Sequence, residues 1–290
     1  MFANYVKTTL LLGVLSGILL SLGMLIGGSN GLMIALIMAI IFNGVAYFYS
    51  DLLVLRMYKA RPLDKNNYAH LYTIVEDLCR TMKLPMPKLW IIQTPMANAF
   101  ATGRNPNNAS VAVTSGVLEL LDADELRGVL AHELAHIQNR DILISTIAAM
   151  MATAIGYLAS IARYSMFFRS SSSNDRKNNN NALIMLAVGI LAPIAATIMQ
   201  LAVSRSREYG ADETGAYACH DPLALAAALK KLSSQTRSTT TQTQHAAYAN
   251  IASLFIVNPL NAQTIRTLFS THPPLEKRIE RLHKIHETMF

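Results

Sequence analysis

Cysteine is almost absent from this chain. The two present, Cys79 and Cys219, are too few for the disulfide framework of a small secreted domain, and they read as buried small hydrophobes in a reducing compartment. Charge is scarce as well: Asp, Glu, Lys and Arg make up 15% of the 290 residues, against roughly 25% in an ordinary soluble domain. With hydrophobic residues at 52%, a plain soluble globule is disfavoured. Disorder is excluded, because it requires low hydrophobicity with high net charge. The net charge of +7 is mild. Its cationic residues are scattered without interleaved aromatics, so nucleic-acid binding has no support.

What is present in excess is the long uncharged run. Residues 8–28, 32–50, 142–162 and 182–203 contain no Asp, Glu, Lys, Arg or His, and each approaches the ~20 apolar residues that cross a bilayer. The first two form a hairpin over residues 1–50. Its first run is longer than the ~7–15 apolar residues of a signal-peptide core, so it reads as a retained anchor. Lys7 precedes the hairpin, Arg56, Lys59, Arg61 and Lys65 follow it, and the turn at 27–31 carries no charge, which places both ends in the cytoplasm. The 142–203 hairpin has a basic tip, with Arg163, Arg169, Arg176 and Lys177 against Asp175. Either it spans fully despite that tip, or it is shallow or partly buried in protein. The remainder, 51–141 and 204–290, is expected to pack into one domain across the insertion. The Ser/Thr/Gln-rich run 233–244 reads as a mobile surface loop.

One motif carries chemistry. Residues 132–136 read His-Glu-Leu-Ala-His, and Asp122-Ala-Asp-Glu125 ahead of them has the Asp-x-x-Glu form of a capping box. A helix is therefore expected from about 123. On it His132 and His136 share one face and can hold a single Zn²⁺, while Glu133 sits beside the metal, able to activate water. Catalytic zinc takes a third protein ligand. Glu208 is the best candidate: it emerges just after the fourth apolar run, as the His helix enters the third just after His136, and an antiparallel hairpin returns both to one membrane face. Asp212, one helical turn on, can accept the outer N–H of a ligand imidazole.

These residues, with Asn98-Ala-Phe-Ala-Thr-Gly103, Arg207-Glu208-Tyr-Gly-Ala-Asp212 and His272-Pro-Pro274, resemble the HtpX-like membrane-embedded zinc metalloproteases, a family that also includes the CAAX prenyl endopeptidase. The likeness runs essentially end to end and is weakest through 163–181 and 233–250. It implies a mainly α integral membrane protein: four apolar helices plus a cytoplasmic gluzincin-like α+β catalytic domain with a small β-sheet. It implies one Zn²⁺ held by His132, His136 and Glu208, Glu133 as general base, Asp212 behind the ligands and His272 as a transition-state residue. Short strands are expected at 88–93, 97–102 and 110–114, and an exposed one could pair with an extended peptide. Asn98, Ala99 and Phe100 on the second are the substrate-binding candidates, Asn98 by resemblance. The implied activity is cleavage of misfolded or exposed segments of membrane proteins in the bacterial cytoplasmic membrane under stress, with other quality-control proteases as candidate partners. Two competitors stand beside it: a non-hydrolytic adaptor whose zinc joins the two halves, and CAAX-type peptide processing. A transporter is disfavoured, because the apolar runs lack the ionisable residues that line ion paths.

Overall fold

A computed structural model describes residues 2–147, 205–239 and 273–289. Helix α1, Phe2–Met57, is broken at Gly28, where φ is 57° and ψ −138°, a conformation that costs glycine little and other residues more. The break reverses the chain. Asn43 donates to Ser16 Oγ at 2.8 Å, although a straight helix would hold residues that far apart in sequence about 40 Å from each other. The two arms therefore lie side by side. Of the four apolar segments, the structure gives one candidate span among the described residues: Gly28–Met57, 30 residues with mean hydropathy 2.2. Residues 142–147 are helical, and the rest of the second hairpin lies outside the described residues.

The last turns of α1 leave the apolar segment and pack on a sheet. Val54 and Leu55 are buried with Ile92, Phe100 and Ala112. The sheet has four strands in the order β1-β2-β4-β3, with β2 parallel and β3 antiparallel to β4. Strands β2 (Lys88–Ile92), β3 (Ala99–Gly103) and β4 (Ala109–Thr114) fall on the expected runs. The short β1 (Arg61–Pro62) was not expected; it stands at an edge, where proline is tolerated. The other edge is β3.

Six more helices follow: α2 (Ala69–Met82), α3 (Ser115–Leu120), α4 (Ala123–Gln138), α5 (Arg205–Cys219), α6 (Pro222–Thr239) and α7 (Leu275–Met289). One hydrophobic core draws on both halves of the chain, including Leu78, Val113, Leu130 and Leu134 from one and Ala216, Leu229 and Leu282 from the other. Gly215 lets α5 approach α4 closely: a Cβ there would lie 2.9 Å from the His132 nitrogen and 3.0 Å from the Ala131 carbonyl carbon. Glu208, Asp212 and Gly215 share one face of α5 at helical spacing, so this backbone approach also brings the two carboxylates toward the His helix.

One expectation is overturned. The first part of 233–244 is not loop, because α6 continues to Thr239. Leu232 and Ser233 are buried. Gln235 accepts from Ala97 N–H at 2.9 Å and donates to Pro95 O at 3.2 Å. These tertiary contacts override a polar composition that has no helical signal of its own.

Candidate metal centre

The capping box on α4 is formed in both directions: Glu125 N–H donates to Asp122 at 3.0 Å, and Asp122 N–H donates to Glu125 at 3.1 Å. With its first turn so fixed, α4 carries His132 and His136 on adjacent turns, their ring centroids 4.8 Å apart. Glu208 reaches them from α5. Its carboxylate oxygens stand 3.9 Å from His132 Nε2 and 3.7 Å from His136 Nε2. One ligand atom from each of the three residues lies within 4.8 Å of the others, and among the described residues no fourth His, Cys, Asp or Glu joins the group.

The opposite ring nitrogens are also occupied. His132 Nδ1 is 3.0 Å from Asp212, close although not aligned as a straight hydrogen bond. His136 Nδ1 is 3.3 Å from Asp141. Carboxylates behind both rings favour a proton on Nδ1 and turn the Nε2 lone pairs toward Glu208. Two lone pairs and a carboxylate converging in a buried space repel one another unless a cation lies between them. Tetrahedral zinc with bonds of ~2.0–2.1 Å would hold its ligands about 3.4 Å apart, slightly closer than here. Charge gives a second test. Glu133, Glu208, Asp212 and Asp141 face Arg278 and Arg207, so four carboxylates against two guanidiniums leave two negative charges, which one divalent cation balances. The residues fit the ion.

Two members of this network were not expected. Asp141 lies beyond the end of α4 and meets His136 only because the chain turns through Arg140 at φ 57°. Arg278 is 2% exposed. It grips Asp212 with Nε at 2.8 Å and Nη2 at 2.6 Å, and its Nη1 lies 3.7 Å from Glu208. A signal for it was present: in α7, Arg278 falls on the apolar stripe with Leu275 and Leu282, where a charge needs a buried partner. Burial alone would raise the Asp212 carboxyl, but Arg278 and His132 bring it down from 3.8 to about 2. Burial would likewise lower His136, yet its bond to Asp141 and the carboxylates of Glu208 and Glu133 raise it from 6.5 to about 9. A metal ion binding at His136 must displace that proton. Uptake near neutral pH is therefore expected to release close to one proton, with affinity rising about tenfold per pH unit until about 9. Titration calorimetry in buffers of different ionisation enthalpy measures this, and metal uptake without proton release would remove His136 from the ligand set.

Glu133 accepts from Ala101 N–H of β3 at 2.8 Å. Burial pushes its carboxyl up, against the pull of the two histidines, a direction that would suit a general base. The edge of β3 is not exposed, in contrast to the expectation: all five of its residues are buried. Its outward N–H groups are engaged at Ala101 by Glu133 and at Gly103 by Thr146 Oγ1, at 3.1 Å. Ala99 shares that edge. Asn98 is buried, and its main chain is bonded to Thr114. The Phe100 ring packs against Tyr58 at the end of α1, at 5.2 Å, away from the metal ligands. His272 lies outside the described residues.

Comparison with known proteins agrees with this geometry. The sequence model of peptidase family M48 matches residues 65–286. A protease HtpX homolog of Desulforapulum autotrophicum is 48% identical over 279 residues, covering 96% of this chain and 89% of the relative. Homologs from Persephonella marina and Pyrococcus furiosus are each 48% identical, over 284 residues (98% of both chains) and 281 residues (97% of this chain and 96% of the relative). Among solved structures, Ste24p of S. mikatae matches with a TM-score of 0.52 at 21% identity, covering 97% of this chain and 66% of that one; at that identity the likeness bears on the fold alone. A family match that takes in both the α4 histidines and the α5 carboxylates, with nearly half of all residues shared along the full length, means that this chain belongs to peptidase family M48.

Proposed function

We propose that the chain is a membrane-associated zinc endopeptidase holding one Zn²⁺ per chain through His132, His136 and Glu208. The observation that carries this reading is the convergence of those three side chains within 4.8 Å beside the buried Glu133 carboxylate. Among the described residues three donors converge, which would leave a position for water or substrate, and the peptidase family match disfavours the adaptor reading. When bound, zinc supplies a Lewis acid that polarises the scissile carbonyl and lowers the pKa of water from 15.7 towards ~7. Glu133, held in place by Ala101 N–H, takes a proton from the attacking water and delivers it to the leaving amine, so that one peptide bond and one water give a carboxylic acid and an amine. Asp212 and Asp141 keep the imidazoles turned, and Arg278 holds Asp212.

Membrane proteins with misfolded or exposed segments are the substrates that the apolar α1 hairpin and the HtpX-named relatives support, in the bacterial cytoplasmic membrane with other segments spanning it. The basic residues Arg56, Lys59, Arg61 and Lys65 at the end of α1 support a cytoplasmic active site. His272 is proposed to stabilise the oxyanion, and the main chain of Asn98 and Ala99 to adjoin the substrate. The test uses purified full-length protein in detergent. Chelation is expected to abolish cleavage of an unfolded polypeptide, and one equivalent of zinc per chain to restore it. Cleavage that survives chelation would refute the reading.

A further inference from the structure

Three connected features locate the lipid surface relative to the active site. On α1, the uncharged run ends at Ser50 with Asp51 following, and the aromatic residues Tyr47, Phe48 and Tyr49 just before it are exposed, as in the aromatic belts at membrane interfaces. On β3, two contacts give its direction. Phe100 packs against Tyr58 with ring centroids 5.2 Å apart, and Arg104, just past the strand, lies over the Phe48 ring at 5.1 Å. Four strand residues cover about 13 Å and ten helical residues about 15 Å, so β3 descends alongside α1 toward the lipid and Arg104 ends level with the belt. On the third element, Thr146 lies in the uncharged run that starts at residue 142, and its hydroxyl meets Thr102 Oγ1 at 2.9 Å and Gly103 N–H at 3.1 Å. The described start of this apolar run, residues 142–147, thus sits beside the end of β3.

Arg104 opens the polar, acid-free loop Arg104-Asn-Pro-Asn-Asn108. Its guanidinium makes a long bond to Asn108 Oδ1 at 3.4 Å and no ion pair among the described residues. A cation resting on an aromatic ring at this height, with donors to spare, matches a phospholipid phosphate. Ala101, whose N–H holds Glu133, is three residues away, about 10 Å at strand rise.

Resting on the peptidase reading above, we propose that the substrate class is juxtamembrane polypeptide cut about three residues outside the lipid surface, with Arg104 binding a phospholipid phosphate to hold the site at that height. A chain leaving the bilayer beside β3 reaches Glu133 within that distance, and the effective concentration of segments farther out falls with tether length.

The test uses the full-length enzyme in nanodiscs of phosphatidylglycerol and phosphatidylethanolamine. The probe is an apolar helix of about 20 residues with a flexible tail of about 30 residues, and cuts are mapped by mass spectrometry. They are expected to cluster about three to five residues beyond the span. Cuts spread evenly along the tail, or centred more than about ten residues out, overturn the proposal. Arg104→Glu is expected to slow tethered cleavage about fivefold or more, corresponding to about 1 kcal/mol for one cation at the surface. It should leave cleavage of a soluble unfolded polypeptide unchanged, which also reports on folding, and Arg104→Lys should retain most of the tethered rate. Arg104→Glu with wild-type rate and cut map overturns the phosphate contact. Cleavage of neither substrate above the Glu133→Gln background overturns the peptidase reading and this inference with it.

Discussion

Replacing Glu133 by glutamine is expected to lower kcat by about 10³-fold, within the 10²–10⁴-fold range of general acid–base catalysis, while KM and zinc content change little. Glutamine keeps the shape of the side chain and an oxygen that can accept from Ala101 N–H, which now donates to Glu133 at 2.8 Å. What it loses is the capacity to carry a proton. The proposed metal ligands are His132, His136 and Glu208, so the variant separates proton transfer from metal binding, and parallel zinc analysis and steady-state kinetics test both halves of the claim. An interaction made only in the transition state lowers kcat and kcat/KM together. Activity within about threefold of wild type would show that another group carries the proton. Loss of zinc together with activity would move Glu133 into the ligand set.

The second large effect is expected at Arg278. Its guanidinium is fully buried between Asp212 and Glu208. Arg278→Met removes the cation and leaves the carboxylates, and breaking a buried pair from one side costs about 3–5 kcal/mol. Zinc affinity is expected to fall about 10–100-fold as well, because Asp212 no longer holds the His132 ring in place. The pH dependence follows from the same contact. The Asp212 carboxyl is depressed to about 2 from 3.8, so its contribution to stability is present above the ordinary carboxylate range and is lost as the pH falls toward 2. In Arg278→Met that loss moves to higher pH. The double variant Arg278→Met/Asp212→Leu removes both charges and is expected to recover much of the stability without recovering activity. Denaturant unfolding in detergent measures all three, and a single variant within about 1 kcal/mol of wild type would show that the pair contributes little. Arg278→Lys keeps the charge but not the two-pronged grip, so it should fall between the two.

The parts of the molecule legible in the chain are those that repeat at a local period. The Asp122 and Glu125 reciprocal cap, the one-turn spacing of His132 and His136, and the uncharged run through the second arm of α1 each depend on neighbours a few residues away, and each is found as expected. Glu208 follows from the expectation that an antiparallel hairpin returns it to the histidines, and its carboxylate does stand 3.9 Å and 3.7 Å from the two imidazoles; the hairpin beyond residue 147 lies outside the described residues. Other features had weak or no local signals. Asp141 is five residues from His136, outside helical spacing, and meets it through a left-handed turn at Arg140. Gln235 belongs to a polar run without periodicity and becomes helical through its bonds to Pro95 and Ala97. Phe100 reads as a strand residue near the substrate, but strand alternation turns it toward α1.

Composition and spacing alone thus determined a membrane-anchored chain with a two-histidine, one-glutamate helix, because bilayer thickness and helical pitch are fixed lengths that residue type must match. Tertiary structure decided which carboxylate stands behind which imidazole, that Arg278 is the buried counter-charge, and that β3 is buried at its edge. Those follow from contacts between elements far apart in sequence, where the balance of desolvation and pairing is settled only once the helices and the sheet have closed on each other.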